Sequence, residues 1–405
     1  MSAAADTYQN LIGGEGRAAR SGSHFDVPSG SGPSSWPRSD RTDLESALAS
    51  LRSETGLLGG PDAGARLGVL SGAWSAFVAD PDRGGALASR LGLSSDECLE
   101  ILLDGEAAPA WNPELLVSRF NEAAAPAEGS VVLVRLHWGE MLKNLFVCVA
   151  AELLAGRRVL LVSDPRVPGL AQRLADLLLG AGLAPDTLAL LHDDGESVLR
   201  AAIASPFVSG FILSGFEHKE LAPEGGGGAS FGDGIVEVRP PAWCHRLLVP
   251  RVLRVEADEN PRVAARRVAG ELFSRLPSLS GQLPGMPSIV EVAPRLLSAF
   301  TTELLLALEH PEEGLTSAAN PCPWVDGALA THLEQTLTDG IDGGATLIHE
   351  ERRPSFTGDP TSGTIQRLVF TNVESEMRVL EQIQPAPIVF IRRGGSNPSS
   401  SSSTA

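Results

Sequence analysis

Four thiols are available as nucleophiles: Cys98, Cys148, Cys244 and Cys322. They are widely spaced, with no C-x-x-C pair, and a thiolate needs a neighbouring base or cation to form near neutral pH. Cys148 falls in an apolar helical stripe and reads as a small core residue. Cys244 is followed by His245, but consecutive strand residues point to opposite faces, so a strand there keeps thiol and imidazole apart. Cys322 lies in the rigid run Asn320-Pro321-Cys322-Pro323-Trp324 and is the candidate nucleophile, with no base identifiable beside it. Glu237 is the candidate general base. It stands among Ile235, Val236 and Val238, where an outward-facing strand Glu is the ordinary alternative. Ser214-Gly215 follows the apolar run Phe211–Leu213 and has the form of a tight turn at a strand end. Open α/β sheets hold ligands at that edge, so these two residues are the candidate cofactor-binding turn, although Phe216 next to them would crowd a nucleotide.

Other chemistries are excluded by pattern. The eight His residues are scattered, without zinc-ligand spacing. Gly225–Gly228 has the glycines of a phosphate cradle but no preceding strand, following helix or Lys, so it reads as a flexible loop. There is no G-x-G-x-x-G, no G-x-S-x-G and no G-K-[ST].

The elements that must position these residues centre on Val131–Leu213. Short apolar runs at Val131–Leu136, Val159–Val162, Leu188–Leu191 and Phe211–Leu213 read as buried parallel strands, which are apolar on both faces. Met141–Ala155 and Gly169–Leu179 between them have the helical apolar period. The alternation predicts right-handed crossovers and one twisted parallel sheet. Before it, Asp43–Arg52 reads as a short helix capped by Thr42 or Asp43, followed by helices covering one sheet face. After it, strands at Ile235–Val238, Leu247–Val255, Ser288–Val292, Thr346–His349, Leu368–Thr371 and Ile388–Ile391 are expected, with helices at Pro261–Phe273, Pro294–Glu309 and Val325–Thr338, the last ended by Gly340. Residues 1–41 are rich in Ser, Gly, Pro and Ala and are expected to be disordered, as is the tail 394–405.

Length and charge bound the function. The 405 residues suffice for two or three domains, and 43% apolar with 20% charged residues is a soluble globular balance. A net charge of −18 disfavours nucleic acid and anionic membrane as partners. No apolar run reaches the roughly 18 residues of a membrane span, and no secretory signal stands at the N-terminus. A reducing cytoplasm is the expected location.

Placed residue by residue, the central unit resembles the aldehyde dehydrogenase superfamily. Trp138 begins a match to the family's P-W-N-F-P, Ala155-Gly156 falls at its Ala-Gly, and Val159–Pro165 stands at the strand ending in K-P-S-E. Phe211–Phe216 resembles the S-F-T-G-S turn and Gly281–Ser288 the G-Q-V-C-T-A-P-S segment. His332–Glu350 resembles a helix followed by a G-A-x-x-x-x-G turn, and Leu368–Ile391 the P-T-V-L-T-D-V-x-x-D-M-x-x-x-x-E-E-I-F-G-P segment. The resemblance spans Arg66–Arg393 as an ordered set of weak motifs and stops short of the family's later strands, including its oligomerisation strand.

The resemblance implies an α/β fold: a Rossmann-like parallel sheet with helices on both faces in residues 42–245, and a second, smaller α/β catalytic-type lobe in 246–393. It also implies what is missing. The nucleophilic Cys falls at Pro284, and the Asn whose amide holds the oxyanion falls at Gly139. The Lys for the cofactor ribose falls at Val162, and the Glu for the nicotinamide ribose at or near Gln382. Glu237 matches the general base, but the G-G-K after it is replaced by Arg239-Pro240-Pro241. The expectation is a divergent, C-terminally shortened member without catalysis. It would carry no cofactor and act as a binding or scaffold protein, pairing with itself or with an active relative. Two alternatives stay open: an active NAD(P)-dependent aldehyde dehydrogenase or acyl-CoA reductase using a displaced nucleophile, and a nucleotide-binding module without chemistry.

Overall fold

The computed structural model describes residues 8–27, 34–53, 63–80, 85, 88, 94–96, 98, 129–195, 197–213, 243–245, 251–273, 287–309, 327–353, 364–374, 376–380 and 388–394. They form two compact units, Met1–Leu248 and Val249–Ala405.

The first unit is built on five parallel strands: β5 (Val131–Arg135), β6 (Arg158–Val162), β7 (Leu188–Leu191), β8 (Val208–Leu213) and β9 (Trp243–His245). Their order across the sheet is β7-β6-β5-β8-β9. Every residue of β5 and β7 is buried, as a strand covered on both faces requires. Leu133, Leu160, Ala189 and Phe211 share a core with Leu44, Leu48 and Leu51 of helix α1 (Arg41–Leu51). Helix α2 (Ala63–Ala79) packs its Trp74 and Phe77 against Phe146 of α3 (Phe146–Leu154). Helices α4 (Pro168–Gly180) and α5 (Ser197–Ile203) complete the crossovers.

Residues 1–41 depart from expectation. Asn10–Ile12 (β1) and Glu15–Arg17 (β2) form a hairpin that pairs antiparallel with β7 through Leu11 and Leu190, and His24–Val27 (β3) pairs with Ser34–Pro37 (β4). The composition is that of a disordered segment, but the few large apolar residues described in it are used. Leu11 and Ile12 are buried in the sheet, and Phe25, Val27 and Trp36 bury one another in a small cluster of their own. The β1–β2 turn needs glycine: Gly14 has φ 76°, and a Cβ there would lie 2.3 Å from the Pro185 Cβ.

Two local expectations are also corrected. The cap of α1 is Asp40, not Thr42 or Asp43. Asp40 Oδ1 accepts from the Thr42 and Asp43 amides at 2.7 and 3.1 Å, while Asp43 accepts from the Asp40 amide at 3.0 Å. The helix expected over Met141–Ala155 opens with a wide π-turn, Met141–Leu145, before α3. Such turns insert one residue into a helix and recur near functional edges.

In the second unit the sheet order is β10-β11-β14-β13-β12, with β10 Arg251–Val255, β11 Pro287–Val292, β12 Thr346–Arg353, β13 Thr364–Thr371 and β14 Ile388–Arg393. β10, β11, β14 and β13 run parallel, and β12 joins β13 as an antiparallel hairpin. Helices α6 (Pro261–Phe273) and α7 (Leu297–Glu309) cover one face through Val268, Phe300 and Leu304. Helix α8 (Gly327–Asp342) covers the other and continues through Gly340 rather than stopping there.

Candidate functional site

In the first unit the chain leaves β5 for β6 and β7 on one side and returns to β8 and β9 on the other. The strand order therefore reverses between β5 and β8, and the carboxyl ends of these strands form the edge where an open α/β sheet takes a ligand. The residues just past β5, β6 and β7 define the described part of that edge.

Past β5 come His137, Trp138 and Gly139. His137 caps the short helical turn by accepting from the Gly139 amide at 3.2 Å. Trp138 is buried, and its amide donates to Asp164 Oδ2 at 2.9 Å. Asp164, two residues past β6, is the hub. Its Oδ1 accepts from the Arg166 amide and Nε at 2.9 and 2.8 Å, its Oδ2 from Arg166 Nη2 at 2.7 Å, and Arg135 Nη2 lies 4.0 Å away. Burial alone would push this carboxyl up. The Arg166 and Arg135 guanidiniums, the Arg166 hydrogen bond and His137 outweigh it and hold Asp164 well below the usual carboxylate range. The charge is thus fixed and consumed within the chain.

Past β7, Asp193 caps α5, accepting from the Gly195 and Val198 amides at 3.0 and 2.9 Å. Burial pushes its carboxyl up, and these two hydrogen bonds pull the other way. His192 Nδ1 is 2.8 Å from Ser163 Oγ, a hydroxyl–imidazole pair of the kind that activates nucleophiles. Both residues have no exposed surface, and the far ring nitrogen meets the Gln172 amide oxygen at 3.3 Å rather than a carboxylate. A substrate cannot reach this pair, so its work is structural.

Glu237, Cys322, Ser214, Gly215, Pro284 and Gln382 lie outside the described residues, Ser214 immediately after the end of β8. The strand expected at Ile235–Val238 lies there too. The strand beside β8 is Trp243–His245, with Cys244 opposite Phe211 in the register. Of the described thiols, Cys98 is buried and Cys148 half-buried on α3. The Asp164 and His192 networks had no signature in the sequence. Their members come from segments up to 182 positions apart, and only Asp164-Pro165 directly after an apolar strand hinted at one.

No protein-family model and no curated protein sequence matches the chain. Solved structures do. A 3,6-anhydro-L-galactose dehydrogenase in complex with NAP is 16% identical with a TM-score of 0.72, the alignment covering 96% of this chain and 82% of that one. An indole-3-acetaldehyde dehydrogenase from P. syringae, in complex with NAD+ and IAA, is 20% identical with a TM-score of 0.69 over 95% and 79%. A NAD-dependent benzaldehyde dehydrogenase from Corynebacterium glutamicum is 17% identical with a TM-score of 0.69 over 97% and 85%. The chain has the aldehyde dehydrogenase fold.

On that aldehyde dehydrogenase frame, two positions singled out by the resemblance are described. Gly139 offers only its backbone, so no side-chain amide can reach an oxyanion from there. Val162 is 2% exposed, buried in the sheet core with Leu160 and Leu191. Among the described residues of the edge, Asp164 has both oxygens engaged within the chain, and Trp138 is buried just past β5.

Proposed function

We propose that this chain is an aldehyde dehydrogenase-fold protein without dehydrogenase catalysis, acting as a cytoplasmic binding or scaffold protein in an assembly with itself or with an active relative. Gly139 carries the reading. An oxyanion-hole donor contributes about a hundredfold or more in rate, and glycine has no side chain to supply one. The saturated Asp164–Arg166–Arg135 network and the buried Val162 support it independently, since both act against nucleotide binding on the same edge. Among the described residues no helix is long and apolar enough to cross a membrane.

The test is direct. Purified chain is incubated with aliphatic, aromatic and sugar-derived aldehydes and with NAD+ or NADP+, and NAD(P)H formation is followed by absorbance. No turnover above the buffer rate is expected. Turnover at the ordinary enzymatic rate of about 1 per second or faster with any pair overturns the proposal.

A further inference from the structure

We draw no further inference here: the strongest candidate, the exposed stripe of Gly64, Gly68 and Gly72 along one face of α2, is a run of small residues with open space beside Gly68 and Gly72, and nothing in the structure shows what covers it.

Discussion

Asp164 shows how one residue can gather the groups past two neighbouring strands. It is 1% exposed, yet it carries a fixed charge because three donors from Arg166, the Trp138 amide and the more distant Arg135 converge on it. The same carboxylate position past a second parallel strand is where a dinucleotide fold offers an acceptor to a ribose. Here that acceptor is already satisfied. Asp164→Asn keeps the shape and removes the charge, leaving Arg166 and Arg135 facing a neutral amide. Breaking a buried pair in this way costs about 3–5 kcal/mol, which a shift in denaturant midpoint would report. The pH dependence has a definite sign. The folded value lies below the ordinary 3.8, so native stability through this group is complete above that pH and is lost as pH falls below it. The variant is expected to lack that acid-side loss, and an unchanged acid limb would show that Asp164 is not the hub.

At the scale of elements, α1 illustrates what sequence could and could not reveal. Its apolar face, Leu44, Leu48 and Leu51, was legible, and the helix forms there. Its cap was not, because Ser, Thr and Asp cluster at 39–43 and only geometry chooses among them. Asp40 supplies the box, and Asp43 is further engaged by the Arg20 amide at 3.1 Å. Asp40→Ala is expected to cost about 1 kcal/mol, read as a fall of a few degrees in Tm. Strands β5 to β8 were legible for a related reason: a strand buried on both faces announces itself as an unbroken apolar run. The strands before α1 were not. They are three or four residues long and bury few large side chains, β2 none, so composition over a wider window was dominated by Ser and Gly. The π-turn at Met141–Leu145 was equally invisible, since its apolar spacing is that of any helix.

For the whole molecule, the fold and its chemistry separate. An aldehyde dehydrogenase frame persists at 14–20% identity because parallel sheets constrain only burial and crossover hand, not particular side chains. Catalysis constrains single atoms, and under the proposed function those are the positions where Gly139 and Val162 stand. The consequence reaches stability as well as activity. A ligand bound only by the folded state stabilises it by about 2.7 kcal/mol at a hundredfold excess over its Kd, which for domains of this size is a Tm rise of several degrees. NAD+ and NADP+ are therefore expected to leave the melting curve unmoved at millimolar concentration, with no binding heat by calorimetry. This measurement separates two readings that an activity assay cannot. A chain that melts later with NAD+ yet turns over no aldehyde keeps a nucleotide pocket without chemistry, and the closed edge past β6 would then have to open, with Arg166 leaving Asp164. A chain indifferent to both nucleotides has given up the cofactor together with the reaction, as the proposed function expects.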